Sequence, residues 1–369
     1  MYTDQLSAGY FHMIVANRPM LDVRSPAEFS AGSVPGAVNI GLFTDDEHHK
    51  VGLAYRERGK EYAFRLADDL FDEAKVDHLT DLWCAYLDEN PAALVYCARG
   101  GMRSETAARW IFEKCGRQVE RIEGGYKAMR NYLLGWLVPE PIESKPILVG
   151  GRTGSGKTAL LQSFENSIDL EAIANHRGST FGRFTTPQPG QADFENRLAV
   201  ALIRHAGRNH SHLILEDEGR HVGKRFLPKE LAAFFKRGDL VVLEVDFEER
   251  VDNIYREYVL DSQSLYECRE PGADTSPIRL WSEEMNTNLD RIARRLGATM
   301  LEQIRALLES GCCHQERNGD PQAHKHWIRL LLRHYYDPMY DYQLKKKDRA
   351  PVLSGRKDDV EQYLRSLTS

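Results

Sequence analysis

Two short segments of this 369-residue chain hold residue types able to make and break bonds. The first is CARGGMR, residues 97–103, which follows the apolar run ALVY and precedes the helical pattern SETAARWIF. A thiol between a strand and a helix faces unpaired backbone N–H groups and the positive end of the helix dipole. Arg99 and Arg103 stand beside it in sequence, and each of these features favours thiolate over thiol. Gly100 and Gly101 let N–H groups converge on the sulfur, forming a pocket suited to an anion or a bound chalcogen. Cys97 is therefore a candidate nucleophile with Arg99 and Arg103 as electrostatic partners; the alternative is an inert cysteine buried at a strand end.

The second segment is GRTGSGKT, residues 151–158, a full match to G-x-x-x-x-G-K-[ST] placed between an apolar strand and a helix. Gly151, Gly154, Ser155 and Gly156 allow the backbone to wrap a di- or triphosphate, and the following helix is expected to add its dipole. Lys157 neutralises bridging charge, and Thr158 is the ligand for Mg²⁺ if that ion takes part. Downstream, the strand HLILE ends in Glu216-Asp217-Glu218, which occupies the place of a second acidic motif, with Glu216 and Asp217 the candidates to hold a metal or orient a phosphate, unless the run is simply a solvated loop. The segment DFEERVDN, residues 246–253, resembles the late strand and helix of P-loop kinases, which keeps a nucleotide among the possible ligands.

Positioning these segments calls for two α/β units, in keeping with roughly 100–200 residues per domain. Strands are expected over residues 20–23, 93–96 and 119–122 with helical patterns between them, a parallel arrangement. Residues 138–145, proline-bearing and aperiodic, are read as a linker closing a first domain over residues 1–137. A second α/β domain over residues 146–275 has strands expected over 146–150, 213–216 and 240–245 and a helix from Ala159. Residues 276–369 read as purely helical, with candidates over 279–296, 299–309 and 324–336.

Composition sets limits rather than an answer. Hydrophobic residues at 42% and charged residues at 28% suit a globular chain with an ordinary core. A net charge of −6 gives no global signature of nucleic-acid binding, so any RNA contact must come from local patches. Six irregularly spaced cysteines point to a reducing compartment. No leader pattern or stretch of about 18 apolar residues is visible, so a cytoplasmic protein without membrane attachment is expected. Cys312, Cys313 and His314 have no second cysteine pair at ligand spacing, and no zinc site is assigned; Cys84, Cys115 and Cys268 are read as core or helix-face residues.

The segments LDVRSPAEFSAGSVPGAVNI (residues 21–40) and EGGYKAMR (residues 123–130), with the Cys97 loop between them, resemble the signatures of rhodanese domains. Where many rhodaneses carry Gly-His-Ile, this chain has Gly32-Ser33-Val34, a departure read as peripheral. Asp22 and Arg24 are expected to hold the loop through an ion pair rather than to do chemistry. The order of the two modules, together with ANHRGSTFG (174–182), QADFENRL (191–198) and LEDEGR (215–220), resembles the tRNA 2-selenouridine synthase family over nearly the whole length.

That resemblance implies exchange of sulfur for selenium at C2 of 5-substituted 2-thiouridine in the wobble position of tRNA, with selenophosphate as donor. It also implies S-geranylation of the same base from geranyl diphosphate. Cys97 would then carry selenium as an S-selanyl group, and the P-loop would grip the prenyl diphosphate or selenophosphate without a need for ATP hydrolysis. The implied partners are tRNA, selenophosphate and geranyl diphosphate, with no firm cofactor beyond a possible Mg²⁺ and a monomer as the expected state. For the tRNA contact the candidates are residues 334–349, whose tyrosines can stack on a base while Lys345, Lys346 and Lys347 meet phosphates, and the loop bearing His176, Arg177, Ser179 and Arg183. Three rival readings are a small-molecule kinase with a regulatory rhodanese module, a generic sulfurtransferase, and a noncatalytic RNA-binding protein.

Overall fold

The computed structural model of the chain describes residues 2–176, 187–267, 276–345 and 350–367. It divides into two compact units, Met1–Ile142 with Pro189–Asn209, and Glu143–Gln188 with His210–Ser369. The α/β class expected from the sequence holds for both. Among the described residues no helix is long and apolar enough to cross a membrane.

The first unit is built on a parallel sheet of four strands, β1 (Met20–Asp22), β2 (Val38–Asn39), β3 (Leu94–Tyr96) and β4 (Glu120–Arg121), in the order β2-β1-β3-β4. The central strands β1 and β3 are buried at every position, which is why they read as unbroken apolar runs. β2 is too short for any periodicity to announce it, and it was absent from the expected elements. One face is packed by Trp83, Leu87, Ala107 and Ile111 against Leu21 and Val95, with the Trp83 indole N–H donating to the Ile40 carbonyl at 3.0 Å. Cys84 and Cys115 lie on this helical layer with their sulfurs 3.0 Å apart.

The helix Gln191–Ala206 belongs to this unit, although its sequence follows the P-loop. The boundary drawn at residues 138–145 therefore describes only one of the crossings: the chain leaves the first unit near Ile142, returns at Pro189 and leaves again after Asn209. Polar contacts explain the return. Asp193 accepts the Ser33 backbone N–H at 2.9 Å, and the Asn196 amide donates to the Ser33 carbonyl at 2.7 Å and to the Tyr126 hydroxyl oxygen at 3.1 Å. Arg130 binds Asn196 at 2.7 Å and pairs with Glu195. Ser33, read as peripheral, is thus the docking point of this helix.

The second unit has a five-stranded parallel sheet, β5 (Lys145–Gly151), β6 (Ser167–Ile168), β7 (His212–Glu216), β10 (Asp239–Leu243) and β11 (Leu353–Gly355), in the order β11-β10-β5-β7-β6. A small antiparallel hairpin, β8 (His221–Val222) with β9 (Arg225–Phe226), precedes β10. β11 corrects the expectation of a purely helical C-terminal region: three residues return to the sheet edge, and the helix Lys357–Ser366 packs Val360 and Leu364 into the sheet core.

The helices Phe247–Tyr255, Pro277–Leu296, Ala298–Asn318 and Lys325–Leu331 enclose a separate apolar cluster around Trp281 and Trp327. The helix Ala298–Asn318 runs through Gly311, where the sequence suggested an end near residue 309. A Cβ at Gly311 would lie 2.6 Å from Nδ1 of His324, so the glycine makes room for the imidazole rather than breaking the helix. His324 is fully buried; its Nδ1 accepts the Trp327 indole N–H at 3.0 Å, which leaves Nε2–H to donate to Gln315 Oε1 at 3.0 Å.

Burial lowers the His324 pKa from 6.5 to about 4. Because the folded value lies below the unfolded one, the stabilisation is complete above pH 6.5 and is lost as pH falls through about 4. The protonation difference corresponds to roughly 3 kcal/mol, at about 1.4 kcal/mol per pH unit. Urea midpoints followed by tryptophan fluorescence are expected to fall steeply over this window, and His324→Gln is expected to flatten that dependence.

Candidate functional site

The Cys97 loop is shaped by a contact between two stretches of bare backbone. Gly100, Gly124 and Gly125 all have positive φ, at 66°, 68° and 58°. A Cβ on Gly125 would come within 2.3 Å of both the Cys97 carbonyl oxygen and the Gly100 nitrogen, and one on Gly100 would lie 2.8 Å from the Gly124 nitrogen. Only with these side chains missing can Tyr126 and Lys127 donate their N–H groups to the carbonyls of Cys97 and Ala98, each at 2.9 Å. The EGGYK segment is therefore the wall against which the cysteine loop is moulded.

Asp22 and Arg24 brace that wall through their ion pair, as the sequence suggested. They form a buried pair at 2.6 Å; Arg24 also donates to the Gly32 carbonyl at 2.9 Å and lies over the Tyr126 ring at 3.9 Å. The arginine thus ties the end of β1 to the turn that backs the loop.

Cys97 itself is 3% exposed, yet its sulfur has polar neighbours: it lies 3.4 Å from Ser104 Oγ and 3.8 Å from the Gly101 carbonyl, at the mouth of the 14-residue helix Met102–Cys115. Burial pushes the thiol pKa up. The Ser104 hydroxyl, the N–H groups of Arg99 and Ser104 and the charge of Arg103 more than offset it, leaving the value below 9.0. Ser104, which the sequence reading missed, is thus the principal side-chain partner; its position at the third residue of a helix that opens on the sulfur is the signal that would have found it.

The two arginines differ. Arg99 is exposed, whereas Arg103 is half-buried and binds Glu28 with two hydrogen bonds at 2.5 and 3.0 Å. Glu28 also closes the capping box of the helix Pro26–Ala31. Burial raises the Glu28 carboxyl, but Arg103 holds it below the ordinary value, so part of the Arg103 charge is spent within the scaffold.

In the second unit β5 delivers the phosphate loop. A Cβ on Gly151 would meet Ser155 Oγ at 2.6 Å, and one on Gly154 would meet the Arg250 carbonyl oxygen at 2.8 Å. Lys157 Nζ donates to the Gly151 carbonyl at 3.0 Å. The helix that follows is only Lys157–Leu161, shorter than the pattern from Ala159 implied, so the loop amides and Lys157 count for more than a helix dipole. Arg250, buried, donates to the Thr153 carbonyl at 2.9 Å and pairs with Asp337 at 2.5 Å; Asn253 donates to the Gly154 carbonyl at 2.9 Å. The segment DFEERVDN therefore clamps the P-loop. A cavity of about 360 Å³ opens beside it, lined by Arg152, Ser155, Phe247, Arg250 and Tyr340 among others.

Thr158 Oγ1 donates to Glu216 Oε1 at 3.1 Å. Carboxylate oxygens of Glu171, Glu216 and Glu218 lie within 4.8 Å of one another, while Glu216 Oε2 and Ser155 Oγ are buried without a hydrogen-bond partner among the described residues. Burial, followed by the mutual repulsion of these acids, lifts Glu171 to about 10; burial and Asp169 lift Glu216 to about 7, against the pull of Lys157. Asp217, named beside Glu216 from the sequence, is not in this group; its backbone N–H bonds to the Val149 carbonyl at 3.0 Å. β7 ends at Glu216, and the chain turns directly after it, the Glu218 N–H donating to the Glu216 carbonyl at 2.8 Å.

One candidate RNA contact changes. Tyr335 and Tyr336 are 6% and 2% exposed in the helical core, and Asp337 and Asp341 pair with Arg250 and Arg152, so this stretch buttresses the P-loop. Tyr342 is exposed; Lys346 and Lys347 lie outside the described residues, as do Arg177, Ser179 and Arg183. His176 is half-buried, its N–H on the Glu171 carbonyl at 2.9 Å and its ring beside Gly223 of the hairpin.

A family model for the rhodanese-like domain matches residues 8–132, and one for the tRNA 2-selenouridine synthase AAA domain matches residues 144–369. A protein named tRNA 2-selenouridine synthase from Sulfurovum sp. is 40% identical over 97% of this chain and 98% of its own. One of the same name from Hydrogenovibrio crunogenus is 40% identical over 97% and 98%, and one from Pseudomonas aeruginosa 39% over 96% of each. The chain belongs to the tRNA 2-selenouridine synthase family.

The three segments that carried this resemblance have separate structural duties. QADFENRL supplies Asp193, Glu195 and Asn196 to the docking of the returning helix, and LEDEGR supplies Glu216 and Glu218 to the acidic group. ANHRGSTFG is described only as far as His176.

Removing the Ser104 hydroxyl takes away the largest side-chain contribution holding the Cys97 pKa down. The thiolate absorbance of the wild-type protein, measured against Cys97→Ala, is expected to appear below the pH of an ordinary thiol. In Ser104→Ala its midpoint is expected to move to higher pH; an unmoved midpoint assigns the depression to the backbone N–H groups and the Arg103 charge.

Proposed function

We propose that this chain replaces the C2 sulfur of a 5-substituted 2-thiouridine in the tRNA wobble position by selenium from selenophosphate, by way of an S-geranyl intermediate made from geranyl diphosphate. The observation that carries the reading is the presence, in one member of this family, of a cysteine held toward its thiolate at a helix mouth and a complete phosphate loop.

The thiocarbonyl sulfur is a poor leaving group. Its attack on C1 of the prenyl diphosphate forms S–C, breaks C–O and releases diphosphate, while the base gives up its N3 proton. The loop amides, Lys157 and Ser155 hold the diphosphate oxygens. Selenium then adds at C2, the C2–S bond breaks, and its electron pair departs with the geranyl thiolate. Cys97 carries selenium as an S-selanyl group at the helix mouth. Water cleaves the P–Se bond of selenophosphate, releasing phosphate and a selenide; forming S–Se from the Cys97 thiol and that selenide removes two electrons, so a disulfide-class acceptor accompanies loading and a thiol returns the electrons on delivery.

Thr158 and Glu216, with Glu218 and Glu171 behind them, fit a divalent cation: oxygen donors surround a buried carboxylate oxygen that has no hydrogen-bond partner among the described residues. Mg²⁺ bound there would neutralise charge on the diphosphate.

Nucleoside mass spectrometry after incubation with geranyl diphosphate and selenophosphate tests the scheme. Cys97→Ala is expected to form the geranylated nucleoside and no selenouridine, and Lys157→Ala to form neither. Selenation by Cys97→Ala at the wild-type rate removes the cysteine from the mechanism. For the metal, calorimetric titration with diphosphate is expected to show Mg²⁺-dependent binding that Glu216→Gln weakens by about tenfold, the loss of a charged ligand being worth on the order of 1–3 kcal/mol.

A further inference from the structure

A cavity of about 710 Å³ lies in the first unit, between the paired helices Asp45–Arg58 and Lys60–Asp69 and the helix Met102–Cys115. Its wall is aromatic: Phe43, Phe64, Phe71 and Trp110 line it, with Phe71 packed 5.1 Å from Phe43 and 5.0 Å from Trp110 between ring centres. Tyr55 and Met102 stand exposed at the opening. The paired helices bury only Ala54 and Ala63, and three of their larger apolar side chains, Val51, Tyr55 and Phe64, line this space. Size and lining are those of a site for a mostly apolar ligand with a few polar fixing groups.

Location says which ligand. Met102 and Arg103, the first two residues of the helix whose mouth holds the Cys97 sulfur, belong to the lining, and Leu42 and Phe43 share a packed cluster with Cys97. The apolar space therefore begins within one helical turn of the reactive group. Arg109 at the rim is exposed and holds Glu113 only in a loose contact at 3.9 Å, which leaves it able to meet a phosphate of an RNA strand.

We propose that this cavity binds the branched aliphatic chain carried on the sulfur of an alkylated tRNA base, anchoring the base with its C2 toward Cys97. The inference rests on the alkylation reading given above and adds a site to it: the chain is the handle by which the selenium-receiving substrate is recognised, and the cavity is where the departing thiol's tail lies.

Gly52 lines the cavity in mid-helix, and a Cβ added there meets nothing within 4 Å, so Gly52→Trp fills the space from a position that tolerates a side chain. Phe64→Asp spoils the same space by charge. The probes are anticodon stem-loop RNAs bearing S-geranyl- or S-methyl-2-thiouridine, with affinity read by polarisation of labelled RNA. Wild-type protein is expected to prefer the geranyl form by at least about tenfold, a modest share of what burying several methylene groups yields. Both variants are expected to bring the ratio close to one. Equal affinities in the wild type, or an undiminished preference in either folded variant, overturn the proposal. If the preference is present and lost as expected while the wild type never converts the geranylated base to selenouridine, the selenation reading fails and the cavity assignment stands.

Discussion

Much of the first unit follows from one close approach, the backbone of Gly124 and Gly125 lying directly against the backbone of the loop that begins at Cys97. With a Cβ only 2.3 Å from two loop atoms, any side chain at residue 125 would separate the two stretches. The approach lets two N–H groups of the EGGYK turn bind the loop carbonyls, and this turns the loop's own N–H groups inward, toward the sulfur. The buried Asp22–Arg24 pair, the Arg24–Tyr126 stacking and the Asn196–Tyr126 hydrogen bond all hold that same turn. A thiolate in a site that is almost fully buried is costly unless its hydrogen bonds are fixed in advance, and this is what the converging contacts provide.

The phosphate loop obeys the same logic with different residues. Its carbonyls at Thr153 and Gly154 are gripped by Arg250 and Asn253, and Arg250 is in turn fixed by Asp337 from nearly ninety residues further along. Burying that arginine is tolerable only because it is paired and hydrogen-bonded at once. Beside the loop three glutamates crowd together, and burial with the charge of neighbouring acids raises their pKa values. In both loops carbonyl acceptors are thus tied back into the scaffold.

Local pattern made the strand–loop–helix character of both sites readable, because a buried parallel strand, a glycine loop and an amphipathic helix each have a short-range signature. Cys97, Lys157, Thr158 and Glu216 were all visible in that way. Ser104 and Glu171 were not. Glu171 comes from a four-residue helix, Leu170–Ile173, remote in sequence from β7, and nothing in its neighbourhood marks it as an acid facing other acids. Tyr335 and Tyr336 looked like a stacking platform since aromatic residues beside lysines have the same composition on a surface as at a core edge; burial alone separates the two cases.

By itself the sequence determined the two α/β units, a candidate nucleophile, the phosphate-loop motif and the family, because each rests on residues close together along the chain. Tertiary structure decided the rest. It assigned the helix Gln191–Ala206 to the first unit through polar contacts with Ser33, Tyr126 and Arg130, and it brought β11 back to the sheet edge of the second. It also assembled the glutamate group and opened an aromatic cavity beside the cysteine helix. The physical reason is that hydrogen bonding and charge interaction act over a few ångströms of space without regard to separation along the chain. A pattern of neighbours in sequence therefore fixes what each segment is, while packing fixes what it meets.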